Sequence, residues 1–98
     1  MPRLILFFLT CLLAAPVFAQ SDEEIAAARL AYLAGEYAES LAVLRPAAEA
    51  GNPVAQNVIA NAYDNGRGVE IDVEKAIAWY ERAADQDFAR AIYNLGLI

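Results

Sequence analysis

Three carboxylates, Glu70, Asp72 and Glu74, fall within five residues, and clustered oxygen donors are what a calcium ion takes. The same spacing also fits the start of a helix. Asp72 would cap it, and Glu74 would sit in the first turn, where negative charge meets the positive end of the helix dipole. The capping reading suits the flanking residues better. Asp85 and Asp87 could form a carboxylate pair for acid–base work, but nothing around them suggests a shaped pocket, and a solvated helix end accounts for both. Ser21 and Ser40 are the only serines and there is no His. A Ser–His triad, imidazole catalysis and His-bearing zinc sites are therefore excluded within the chain. Gly66-Arg67-Gly68 is short and lacks the lysine-bearing glycine loop that cradles phosphates. Trp79 beside Tyr80 could anchor a partner, but at helical spacing it reads as filling between helices. Asn57, Asn61 and Asp64, spaced i, i+4, i+7, make a polar ridge on one helix face, which a solvated surface and a recognition surface explain equally well.

No metal and no cofactor follow from these constellations. The chain has 98 residues, 13 Asp+Glu against 7 Lys+Arg, a net charge of −6 and one Cys. One small domain is the ceiling. The acidic balance argues against nucleic acid, which calls for clustered Lys and Arg.

The first nineteen residues read as an address. Arg3 precedes an apolar run from Leu4 to Ala15, Pro16 breaks it, and Val17-Phe18-Ala19 puts small residues before a cleavage point. That is the plan of a secretory signal peptide cut after Ala19, and the run is too short for a spanning anchor. Cys11 lies inside the run and lacks the setting of a lipoprotein cysteine, so it leaves with the leader. The mature chain, Gln20–Ile98, has 79 residues, 6 basic and 13 acidic side chains, a net charge of −7 and no Cys. It is expected to be periplasmic or secreted, to touch a membrane only through an uncleaved leader, and to be held by packing without disulfides.

The mature chain repeats itself at an offset of 36 residues. Ala47, Ala48 and Ala55 fall on Ala83, Ala84 and Ala91, Glu49 falls on Asp85, and Ile59 falls on Leu95. Four apolar stripes at helical spacing support the offset: Ala27, Leu30, Ala31, Ala34; Tyr37, Leu41, Leu44, Ala48; Ala55, Val58, Ile59, Ala62, Tyr63; and Val73, Ala76, Ile77, Tyr80, Ala83, Ala84. The punctuation agrees. Ser21-Asp22-Glu23-Glu24 is a capping box, Asn52 and Asp72 are N-caps, Pro53 sits in a first turn, and Gly35, Gly51 and Asn65-Gly66 are stops. Helices are expected over 22–34, 38–50, 53–64, 73–86 and 89–98. Pro46 breaks the pattern and implies a kink, or a helix that restarts there.

With Gly66-Arg67-Gly68-Val69, then Asp72, Lys75-Ala76, Trp79-Tyr80 and Ala83-Ala84, the chain resembles the Sel1-like repeat family, relatives of the tetratricopeptide repeats. Residues 53–88 look like one complete repeat. Residues 89–98 look like the first helix of the next, with Asn94-Leu95-Gly96 matching the usual start. Residues 21–52 look like a divergent first unit, closer to a tetratricopeptide hairpin because its loop is short. Asp87 stands where the family usually has Gly.

The resemblance implies an all-α fold of antiparallel helix pairs stacked as an α-solenoid. Each pair leaves an apolar face for the next to cover, so about three repeats or more are expected. The sequence therefore reads as truncated at the C-terminus, with Leu95, Leu97 and Ile98 short of a partner helix. It also implies that the first helix of each pair lines a groove. Carried over by position, the groove residues are Val54, Asn57, Asn61, Asp64, Arg90, Tyr93 and Leu97, and the occupant is a protein or peptide. Some cysteine-rich relatives are associated with β-lactam hydrolysis, but a mature chain without Cys and without a serine-based catalytic set does not fit that activity. A role as a structural or regulatory factor of the cell envelope is the other alternative.

Overall fold

Five α-helices follow one another in the computed structural model, which describes residues 20–98: α1 (Asp22–Leu33), α2 (Tyr37–Glu49), α3 (Pro53–Asn65), α4 (Val73–Ala84) and α5 (Ala89–Leu97). No strand occurs among the described residues. The leader expected over residues 1–19 lies outside them.

The helix starts are made by side chains. Ser21 Oγ accepts the Glu24 N–H, and the Glu24 carboxylate accepts the Ser21 N–H, which completes the capping box. Asn52 accepts from the Ala55 N–H at 3.0 Å and Asp72 from the Lys75 N–H at 3.1 Å. Asp72 thus spends its carboxylate on a helix end. Among the described residues no group of three His, Cys, Asp or Glu side chains is placed to hold a metal ion.

The helix ends carry the repeat into three dimensions. Gly51 (φ +109°) and Asp87 (φ +60°) close α2 and α4 in the same way. The Asn52 N–H donates to Ala47 O and the Gly51 N–H to Ala48 O; 36 residues on, the Phe88 N–H donates to Ala83 O and the Asp87 N–H to Ala84 O. These are paired Schellman bonds. Asp87 adopts the left-handed turn in place of Gly, which a short polar side chain tolerates best after glycine itself. α2 runs through Pro46 without a restart. Ala42, whose carbonyl loses the donor, is exposed, so water can supply one.

Each helix packs chiefly on its neighbours in sequence, and α1 also touches α3. Two cores result. The first lies between α1, α2 and α3 and includes Ile25, Tyr32, Leu41, Leu44 and Ile59. The second lies between α3, α4 and α5 around Ala60, Ala76, Tyr80, Ala83 and Ala91. α3 serves both, and its residues Ala55 to Ala60 are buried without a break. Tyr63 and Trp79 pack against both clusters, so Trp79 fills between helices as its spacing suggests.

Two expected stripes need correction. α1 does not bury Ala27, Leu30, Ala31 and Ala34: Leu30 is 64% exposed, and the buried face is Ile25, Ala28 and Tyr32. Tyr32 decides the rotation. Its ring packs tilted on Tyr37 at 5.2 Å, and burying one aromatic ring outweighs burying alanines. On α4, Val73 is 42% exposed at the helix start, while Ala76, Tyr80 and Ala83 of its stripe are buried.

The α3–α4 loop turns back onto the first unit. Gly66 is left-handed, the Arg67 N–H donates to Ala62 O, and the Asp72 N–H donates to Tyr63 O at 2.9 Å. Val69 packs on the first core, and Gly68 lies against Tyr37 and Leu41 of α2. The longer loop is therefore part of the joint between units.

Candidate functional site

α1, α3 and α5 share one face. Two side-chain bridges tie them. Tyr32 Oη donates to Asn61 Oδ1 at 2.6 Å, joining α1 to α3, and Asn94 Nδ2 donates to Asn57 Oδ1 at 3.1 Å, joining α5 to α3. A third link runs behind them. Gln56, fully buried, donates to Ala48 O at 3.0 Å, while Gln86 Nε2 donates to Gln56 Oε1 and to Gly51 O. A buried amide left unpaired costs more than its bond gains. These bonds therefore fix how one unit sits on the next.

The shared face opens into two adjoining clefts. The first, about 520 Å³, is lined by the apolar Ile25, Val54 and Phe88 and by the polar Asp22 and Asn52. The second, about 240 Å³, is lined by Tyr32, Asn57, Asn61, Asn94 and Arg67. Arg29 and Arg90 line both.

The seven groove residues read from the sequence distribute unevenly. Val54 and Arg90 line the first cleft, and Asn57, Asn61 and Arg90 line the second. Asp64 is half-buried and lies close enough to the Tyr80 hydroxyl to disfavour its ionisation. Tyr93 and Leu97 are 66% and 68% exposed but line neither cleft. The sequence reading missed Arg29, Tyr32, Arg67 and Asn94. Arg29 and Tyr32 were within reach: i, i+3 spacing puts them on one face of α1, which is itself a first helix. Arg67 was not, because only the fold brings the loop back beside α1.

Two tyrosines set the electrostatics. Burial raises Tyr32 above the ordinary value of 10.0, opposed by a hydrogen bond and positive charge from Arg67. Burial likewise raises Tyr80, opposed by a hydrogen bond from Asn61, with Asp64 adding to the rise. Both phenols hold their protons more tightly folded than unfolded. Their contribution is complete below the unfolded value and is lost as pH rises through and beyond it. Stability is therefore expected to be flat up to about pH 9.5 and to fall steadily above about pH 10. Urea midpoints measured across that range check this, and a midpoint unchanged at about pH 11 would contradict it.

Comparison with known proteins adds the family. The Sel1 repeat model matches residues 53–88. Residues 53–88 are a Sel1 repeat. The matched stretch holds the long loop, the capping Asp72 and the left-handed Asp87. A stretch of 49 residues is also 43% identical to the chitin synthase regulator SKT5 of Saccharomyces cerevisiae. That stretch is half of this chain and 7% of the yeast protein's length. The Sel1 repeat is a helical scaffold for protein–protein interaction and is generally non-catalytic.

Proposed function

We propose that this chain is an exported, non-catalytic scaffold that holds a protein or peptide partner against the face shared by α1, α3 and α5. The observation that carries the reading is the pair of adjoining clefts on that face, apolar at one end and polar at the other. A peptide needs both: apolar pockets for affinity and placed polar groups for register. The leader pattern over residues 1–19 supports export, and the mature chain's lack of Cys and His supports a role through shape.

The test is cross-linking in cells that secrete the tagged chain, whose recovered N-terminus should be Gln20. Wild type should fix a reproducible set of partners. Val54→Arg, in the apolar cleft, should remove them at unchanged helicity, whereas Ala78→Arg, on an exposed part of α4, should not. Equal retention by both variants would refute the cleft as the binding face. A partner that is itself an enzyme under regulation is a second reading, favoured by the likeness to a chitin synthase regulator. A change in the captured partner's own activity on adding the chain would support it.

A further inference from the structure

The mature chain carries 13 acidic and 6 basic side chains, yet the polar cleft is lined by three arginines, Arg29, Arg67 and Arg90, and by no carboxylate. Half of the mature chain's positive side chains thus converge on one cleft of a strongly acidic chain. All three are arginines. The guanidinium is a flat fork that pairs two donors with one carboxylate, which a lysine cannot do. Asn57 adds to the set: it is buried, and its Oδ1 is used by Asn94. Arg29 and Arg90 stand where the polar and apolar clefts join.

We propose that the groove recognises an acidic peptide segment. An apolar side chain seats among Ile25, Val54 and Phe88, and an adjacent carboxylate seats among Arg29, Arg67 and Arg90. This rests on the reading of the same face as a partner-binding surface and adds the partner's chemistry. A nucleic acid would bring one negative charge per about 1.7 Å along its axis against a chain of net charge −6. A short peptide brings only a few charges, and the arginines meet those at contact while the wider negative field is screened beyond about 8–10 Å.

The probes are four labelled oligomers titrated into the secreted chain by fluorescence anisotropy. Three are amidated octapeptides with one leucine followed by three glutamates, three glutamines or three lysines, and the fourth is an eight-residue oligothymidylate. The glutamate peptide should bind saturably, at least tenfold tighter than the glutamine peptide, and weaken with salt; the lysine peptide and the oligothymidylate should not bind measurably. Arg29→Glu with Arg90→Glu should weaken the glutamate peptide at least tenfold. Lys75→Glu with Arg82→Glu, an equal charge change outside both clefts, should weaken it less than threefold. Circular dichroism checks the fold, and Arg29→Gln with Arg90→Gln serves if the reversal unfolds the chain. A free C-terminus in place of the amide tells a terminal carboxylate from side-chain carboxylates. Equal losses in the two double variants, or an oligothymidylate that binds as well as the glutamate peptide, would overturn the proposal. Glutamine or lysine peptides that bind as well and are displaced by Val54→Arg would overturn the acidic class and leave the groove standing. Failure of every peptide to bind would remove both.

Discussion

Gly68→Ala is expected to destabilise the fold by about 3 kcal/mol, because it combines a left-handed backbone, about 1 kcal/mol, with overpacking, about 2 kcal/mol. Gly68 has φ +75°, and a Cβ built there lies 2.8 Å from Tyr37 Cβ and 3.0 Å from Leu41 Cδ1. Tyr37 Cβ is fixed by the backbone of α2 and cannot swing aside. The whole loop would have to lift, taking Val69 off the first core. For a domain of this size that loss lowers the melting temperature by about 15 °C. Two other glycines separate the terms. Gly51 is left-handed (φ +109°) with nothing within 4 Å, so Gly51→Ala should show the backbone cost alone, about 1 kcal/mol. Gly96 lies in α5 with open space around it, and Gly96→Ala should stabilise by about 0.5–1 kcal/mol through helix propensity. Thermal unfolding of the three variants gives the ordering, and a Gly68→Ala no worse than Gly51→Ala would show that the loop does not bear on α2.

The loop also shows where sequence reasoning carries and where it stops. Caps and stops are local, so Ser21, Asn52, Asp72 and Gly51 could be placed from residue type and spacing, and the helices end within two residues of their expected bounds. The 36-residue offset survives as matched turns because the bonds at Gly51 and Asp87 depend on backbone geometry alone. Helix rotation is different. α1 spreads its apolar residues, Ile25, Leu30, Tyr32 and Leu33 among alanines, around the helix, so the contacts of Tyr32 with Tyr37 and Asn61 decide which face turns inward. Asn57 and Asn61 look like a free surface in one dimension, yet the structure binds them to Asn94 and Tyr32. The chemistry of the cleft then falls to arginines from α1, the loop and α5, which lie far apart in sequence.

Tyr80→Ala should be the most damaging side-chain truncation in the chain, costing about 4 kcal/mol, as deletion of a buried aromatic does. Tyr80 is 1% exposed and the largest fully buried side chain among the described residues. Its buried neighbours in the second core are Ala60, Ala76, Ala83 and Ala91, and alanine has no flexible atoms with which to fill the void. The larger side chains at its margin, Tyr63, Trp79, Phe88 and Leu95, would fill it only in part. A domain this small has only about 4–12 kcal/mol in hand, so most variant molecules should be near unfolding at 37 °C. Tyr80→Phe separates ring from hydroxyl: it keeps the buried ring, costs about 1 kcal/mol, and should flatten part of the alkaline fall in stability. The consequence reaches the groove. α5 is anchored on this core by Ala91, Phe88 and Leu95, and α5 supplies Arg90 and Asn94 to the clefts. Amide hydrogen exchange should therefore rise in α5 of Tyr80→Ala before it rises in α1 and α2, and peptide capture should vanish while the first core still holds. If exchange rose uniformly along the chain, the two cores would be one cooperative unit and the groove could not be opened from the α5 side alone.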